Sequence, residues 1–517
     1  MEQPFSASEW KPTKVSEPWD KPLPKADLEE LIVRLATDQR EIRLHPYDPR
    51  RWIRRAHTFT LLRYPELAVG DACKASLLCK SLLKVLNQNL KPNYRLGAHA
   101  GFWMGHGERE DGDGDEDEDD EVAERMEKLD IDSEHLTHRV RFLQIQSAAD
   151  KVIMDNLAYA PNAEEGMFYP RPYPWMKAEH STRSDEILQQ VNWELAHPLV
   201  TPLPALFAKR YAFGKGVGTR GGAESFGLFA LRDIEKGEKL IVDRSRIWGC
   251  IGPGSGDSRD YDHDGLPAGG RASNLDGGYG CANFMHPNQV GDKVEHDLRW
   301  IRDRLGKDAA HTILLARFFL TCIRDRIDHP LSHPLIARLT PSYRTTAYKS
   351  FCLEKDITIL MEVLQNFGVD IFANHNFDTW VLFEIHARVI NNSWSDPLAT
   401  CVSPLFSLIN HSCEPNLSWN TVEGHSTLHV VANTHVDKDE QVFVEYDQFQ
   451  HEKPLRVRRK RLEDWFDADC QCTRCVREEL EEKAAGEGDG GGGLLWGPGK
   501  PVWDLGVVVE LPEDGDE

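Results

Sequence analysis

Asn410-His411-Ser412-Cys413-Glu414-Pro415-Asn416 is the stretch on which the reading of this 517-residue chain turns. It sets two amides, an imidazole and a thiol in a turn after the apolar run Leu405 to Ile409. On the plainest reading such side chains simply cap backbone groups in the turn. Two later segments suggest more. Glu440-Gln441-Val442-Phe443-Val444-Glu445-Tyr446-Asp447 reads as a strand closing on a tyrosine and an acid. Cys470-Gln471-Cys472-Thr473-Arg474-Cys475 then packs three cysteines into six residues, a spacing that inside a cell most often means zinc. Zinc needs a fourth ligand, nothing adjacent supplies one, and Cys413 is the natural candidate. With four protein ligands the metal has no open position, so its role is structural.

Working outward, Leu228-Phe229-Ala230-Leu231, a turn at Lys236-Gly237 and Lys239-Leu240-Ile241-Val242 read as strand, turn, strand. Clustered Gly, Asp and Asn over 253–300 predict a flexible insertion. Residues 311–325 and 351–366 read as helices, the first with Leu314, Leu315, Phe318, Phe319 and Cys322 on one face. Near the start, five prolines within 1–26 predict an irregular leader. Leu28, Leu31, Ile32 and Leu35 then recur at helical spacing. A second helix should begin at Pro49 with Asp48 as its cap, turning Trp52, Ile53, Ala56 and Phe59 inward. A third follows Pro65, with a small-residue stripe at Leu67, Ala68, Ala72 and Ala75. The pair looks like one tetratricopeptide-type repeat, fewer than the roughly three that a solenoid needs. A helical lobe is the equal reading.

The formal net charge is −23, which argues against a protein that grips nucleic-acid phosphates. Glu108 to Glu121 contributes −10 and Glu478 to Glu517 another −10, so the remaining chain carries only −3. The first run is acidic at nearly every position, unlike the alternate ligands of a calcium loop, and reads as a solvated linker. Eleven cysteines in so long a chain do not make a disulfide scaffold. No apolar run approaches the roughly 20 residues that span a bilayer, and Met1-Glu2-Gln3-Pro4 lacks the features of a secretory signal. The expected setting is the nucleus, the cytoplasm or both. Arg456-Val457-Arg458-Arg459-Lys460-Arg461 reads either as a nuclear-import or anion patch or as a basic helix face beside the zinc site.

Taken in order, these motifs resemble the SET-domain protein lysine methyltransferases, nearest to the SET-and-MYND subgroup and its fungal relatives with a tetratricopeptide-like N-terminal region. The likeness runs from Pro204 to Cys475, about half of the chain. It implies an α+β fold: a SET β-clip of short sheets with a pseudoknot, a helical insertion, a zinc-bound post-SET segment and an N-terminal α-helical lobe. Carried onto this sequence, Tyr446 would be the active-site tyrosine and would also line the cofactor site. Asn410 and His411 would contact S-adenosylmethionine, and Cys413, Cys470, Cys472 and Cys475 would close a structural zinc site. Ser225-Phe226-Gly227-Leu228-Phe229-Ala230 stands at the cofactor loop, so Ser225, Gly227 and Phe229 join the cofactor set, as do Asn392 of Asn392-Ser393-Trp394 and Phe466. Against the family pattern, Ser225 replaces a Gly, Ser403 a Tyr and Ala468 an aromatic for which Phe466 stands in. Cys250 and Cys281 are too few for the subgroup's zinc finger.

The implied activity is methyl transfer to a lysine amine of a protein, histone or non-histone, with no membrane partner and no stated oligomeric state. The rival reading is an inactive SET scaffold that binds partners through its helical lobe and acidic segments. The expected division is a leader over 1–26, a helical tetratricopeptide-like region over 27–100, an acidic disordered linker over 101–127 and a helical and extended connector over 128–203. Then follow the SET domain over 204–449 with an insertion at about 250–390, the zinc segment over 450–477 and an acidic Gly-rich tail over 478–517.

Overall fold

The computed structural model describes residues 24–89, 133–157, 165–168, 170–181, 183–197, 203–211, 225–244, 247–250, 300–343, 349–395, 399–422, 427–447, 452–466 and 469–486. The leader up to 23, the linker at 101–127, the Gly-rich stretch 251–299 and the tail from 487 lie outside the described residues. The chain divides into two units, Met1–Met167 and Phe168–Glu517.

The first unit holds helices α1 (Lys25–Leu44), α2 (Pro49–Leu61), α3 (Pro65–Asn89) and α4 (Ser133–Leu157). Pro49 starts α2 because its missing N–H would have no helical partner, and the Asp48 carboxylate caps the turn by accepting from Arg50 N at 3.0 Å. Trp52, Ala56 and Phe59 are buried, as are Leu67, Ala68, Ala72 and Ala75 on α3. Ile53 is only half-buried, and Arg55 takes the inner place instead. Its guanidinium bonds Asp71 of α3 at 2.7 and 2.8 Å and lies against the Trp52 and Phe59 rings. A buried charge so paired is tolerated where an unpaired one is not; helical spacing alone could not show the pairing.

The second unit is α+β. Strands β1 (Leu206–Tyr211) and β2 (Ser225–Ala230) form an antiparallel pair. β3 (Lys239–Arg244) is the edge of a three-stranded antiparallel sheet with β9 (Thr427–Ala432) at its centre and β8 (Leu417–Val422) beyond. β4 (Ile247–Cys250), β6 (Ala399–Val402) and β5 (Ser393–Ser395) make another, with β6 central. Gly237 turns the chain into β3 with φ +86, a left-handed conformation that costs glycine nothing. Side chains alternate along β2, so Phe226, Leu228 and Ala230 enter a core shared with Ile241, Ile409, Val430 and Val444.

Helices α5 (Asp185–Leu195), α6 (Ala309–Arg324), α7 (Ile359–Asn366) and α8 (Thr379–Asn392) belong to the same unit. α6 has more than one apolar face: thirteen of its sixteen residues are buried, Arg317 among them. The expected helix over 351–366 is shorter, because Lys349–Cys352 is a strand and helical turns begin at Leu353. The Asp356 carboxylate accepts from Cys352 N at 2.7 Å and marks that change of direction.

Candidate active site and metal centre

The site is built where two stretches distant in sequence are drawn together. β7 (Asn410–His411) pairs in parallel with β10 (Phe443–Val444), Asn410 opposite Phe443 and His411 opposite Val444. On its other side the incoming chain meets β2, with Ala230 N donating to Glu440 O at 2.9 Å and Val442 N to Leu228 O at 3.0 Å. Residues 440–444 therefore run between β2 and the 410–411 motif. Regular pairing covers only two residues of the strand expected over 440–447, since the chain serves two partners in turn.

Parts of the motif do purely structural work. Asn416 accepts from Phe443 N at 2.8 Å and donates to Gln441 O at 3.0 Å, holding the threaded segment at both ends. Ser412 accepts from Glu414 N within the turn. Upstream, the Asp243 carboxylate of β3 accepts from Leu405 N at 2.8 Å and Phe406 N at 2.7 Å, fixing the turn that delivers Asn410. Sequence reading missed Asp243, although an acid after Leu240-Ile241-Val242 is an anomaly in a buried strand.

Asn410, His411, Tyr446 and Phe466 come together. Tyr446 N donates to His411 Nδ1 at 3.1 Å, and its hydroxyl donates to Ile409 O at 3.0 Å. The His411 ring lies 5.2 Å from that of Tyr446 and 5.7 Å from that of Phe466, centroid to centroid. Burial holds its imidazole down to about 4, so the ring is neutral. Trp465, also missed, lies 6.4 Å from Tyr446. Asn410 Nδ2 donates to Phe226 O at 3.2 Å, beside Gly227.

The other expected cofactor residues sit differently. Phe229 is on the face of β2 opposite Phe226, against Phe207 and under the Lys209 amine at 3.9 Å. Asn392 ends α8, and its amide donates to Arg388 O at 2.7 Å and Thr340 O at 2.8 Å. Both its hydrogens are engaged, which leaves Oδ1 for a ligand. The Ser225 side chain and Ala468 lie outside the described residues. Ser403 is buried and accepts from Trp394 Nε1 at 2.9 Å.

The four cysteines meet. The sulfurs of Cys413, Cys470, Cys472 and Cys475 all lie within 4.8 Å of one another, where a zinc tetrahedron with bonds of about 2.3 Å would place them roughly 3.8 Å apart. Hydrogen bonds from Cys413 and Cys470 bring the Cys475 thiol down to about 7. Those from Cys413, Cys470 and Cys475 hold Cys472 far below an ordinary thiol. Cys413 and Cys470 go the other way, so the four sulfurs share protons among themselves, and it is the donor set and its spacing that fit zinc. Two helices frame the cluster, α9 (Leu455–Phe466) and α10 (Thr473–Gly486). Arg458, 1% exposed, points its guanidinium at Cys475 Sγ (3.7 Å) and Glu478 (2.5 Å). Arg459 bonds Glu479, and Arg461 bonds Asp447. Much of the basic run is thus engaged within the fold, as a helix face beside the cysteines.

Residues 225–447 match the family model described as SET domain. Over 97 residues the chain is 32% identical to Protein-lysine N-methyltransferase SMYD4 of Mus musculus, covering 19% of this chain and 12% of that one. A longer match, 22% identical over 315 residues, joins it to a SET and MYND domain-containing protein of Dictyostelium discoideum, with 54% of this chain and 55% of that one covered. Among solved structures, Rubisco LSMT bound to sinefungin and monomethyllysine shares 16% identity at TM-score 0.27, over 55% of this chain and 56% of that one. The match thus spans less than two thirds of either relative.

Proposed function

We propose that this chain, a SET-domain protein by its residues 225–447, transfers a methyl group from S-adenosylmethionine to the side-chain amine of lysine in a protein. The observation that carries the reading is the convergence of Tyr446, Phe466 and the Asn410–His411 pair where β7 and β10 pair. Asn410 and the strand backbone at Gly227 would hold the polar parts of the cofactor, and the ring of Phe466 would offer an aromatic face to its base. Bound there, S-adenosylmethionine supplies an electrophilic methyl group on a sulfonium sulfur, a cation that aromatic faces favour.

The remaining work is orientation. A lysine amine titrates near 10.4 in water and must arrive unprotonated, which a desolvating channel promotes. The Tyr446 hydroxyl donates its hydrogen to Ile409 O, and a hydroxyl oxygen so oriented can accept from the amine N–H. It aligns the nucleophile and is no strong base; alignment and fixed dipoles lower the barrier. The four cysteines would hold zinc as a closed structural site that ties 452–486 to the motif. The helical lobe, as a single tetratricopeptide-like repeat, would hold protein partners. The acidic segments would draw in basic, lysine-bearing substrates, histone or not. Nucleus and cytoplasm are both reducing enough to keep the thiols free.

The test is methylation of a lysine-peptide array by zinc-loaded protein. We expect transfer to lysine and a loss of about 10- to 100-fold in Tyr446→Phe, with cofactor binding retained in calorimetry. No heat with either S-adenosylmethionine or its demethylated product, from folded protein, would sink the enzyme reading and leave the scaffold.

A further inference from the structure

The two hydrogen bonds of His411 decide which of its ring nitrogens carries the proton. Tyr446 N–H points at Nδ1 from 3.1 Å. Only a nitrogen with a free lone pair can receive an N–H, so Nδ1 is bare and the hydrogen of the neutral ring is on Nε2. Nε2 lies 3.2 Å from Cys413 Sγ, one of the four clustered sulfurs. His411 is 9% exposed and its ring packs against those of both Tyr446 and Phe466, which hinders its turning over.

We propose that His411 is a positioning residue that links the metal-binding sulfurs to Tyr446: Nε2–H donates to Cys413 Sγ while Nδ1 receives the Tyr446 backbone. A hydrogen bond to a charged acceptor is about twice as strong as a neutral one. A thiolate fixed by a metal therefore orients the ring more firmly than a thiol would, and the ring in turn sets the backbone from which the Tyr446 phenol projects. Partners of metal ligands outside the coordination shell commonly change metal affinity by about 10- to 100-fold. The inference rests on the reading of the four cysteines as a zinc site and of Tyr446 as the residue that matters, but its measurements need no turnover. A chain that never methylates can still confirm or refute it.

Glutamine and asparagine separate the two bonds. The amide of glutamine falls near the place of Nε2 and that of asparagine near Nδ1. His411→Gln keeps a donor for Cys413 and loses the acceptor for Tyr446; His411→Asn does the reverse. Zinc release from the full chain to a colorimetric chelator should stay within about 3-fold of wild type in His411→Gln and quicken by about 10-fold or more in His411→Asn. Equal rates in the two variants would mean packing alone and overturn the proposal. The wild-type protein carrying cadmium-113 and nitrogen-15 histidine gives an independent reading should a variant fail to fold. A coupling between the metal and the Nε2 proton, passed through sulfur, is expected. A proton on Nδ1, or a one-bond coupling from metal to ring nitrogen that makes His411 a ligand, would refute it. Exchanging zinc for cadmium should move the Tyr446 amide resonance in wild type and leave it in His411→Gln; equal movement in both would also refute it.

Discussion

At the scale of single residues the site depends on polar side chains that never touch the chemistry. Asp243 is 3% exposed and receives two backbone N–H groups from the turn before Asn410. Asp243→Ala leaves both donors buried and unmet, at a cost of about 2–4 kcal/mol; Asp243→Asn keeps one acceptor oxygen and should cost less. Urea unfolding with unchanged slope is the measurement. Loss of cofactor affinity should accompany it, because the turn positions Asn410. His411, Tyr446 and the four cysteines were legible in the sequence, since their types and order are unusual together. Asp243 was not, because a lone acid in a strand says nothing of the chain end it caps. The amide of Asn392 shows the converse: the sequence marks it, and the fold engages both its hydrogens elsewhere.

The elements around the cysteines show how a motif changes meaning when its neighbours are known. Arg456 to Arg461 looks like a charge run, yet α9 turns Arg458 and Arg459 onto Glu478 and Glu479 of α10. Two neighbours on one helix meet two neighbours on another, 20 positions on, and no local rule names that partner. Removing Arg458 takes a guanidinium 3.7 Å from Cys475 Sγ away from a cluster that would carry two net negative charges with zinc. Arg458→Met should cost about 2 kcal/mol, less than for a fully buried pair because Glu478 is partly exposed. Faster hydrogen exchange over 455–486 and lower zinc content would register it. Unchanged exchange would mean that the pair contributes nothing to joining α9 and α10. Helix α2 was readable to its first residue, since Asp48 and Pro49 act locally. The helix after Phe351 was not, because Asp356 redirects the chain through a contact that periodicity does not encode.

For the molecule as a whole the consequences concern metal and pH. Chelation should loosen 452–486 and the 410–416 turn together, read as a concerted loss of exchange protection, since Cys413 belongs to one and the other three sulfurs to the other. Cys413→Ala should do the same, and retention of one equivalent of zinc by that variant would refute the four-ligand site. Burial holds both His333 and His329 down to about 4, against an ordinary value near 6.5. The unfolded chain therefore takes up these protons first. Stability is full above about 6.5 and falls as pH drops toward 4, by about 3 kcal/mol for the well-buried His333. His333→Asn, which keeps an acceptor for Leu335 N, should flatten that slope in denaturation at pH 4.5 to 7. Deleting 108–121 should weaken the salt dependence of turnover on basic peptides.

By itself the sequence determined the chemistry available: a turn of amides, imidazole and thiol, a tyrosine closing a strand, four cysteines in a metal-binding pattern, and a charge of −23 confined almost wholly to two segments. Those are properties of residue type and spacing, and they survive any folding. Only the tertiary structure decided that 440–444 threads between β2 and β7, that Nε2 of His411 faces a sulfur while Nδ1 faces Tyr446, and that the basic helix is internally paired. The His411–Cys413 contact spans only two positions, but those of Arg458 with Glu478, His411 with Tyr446 and Val442 with Leu228 span 20, 35 and more than 200. Contacts at such separations arise from how buried backbone groups find partners in three dimensions, and no local pattern records that.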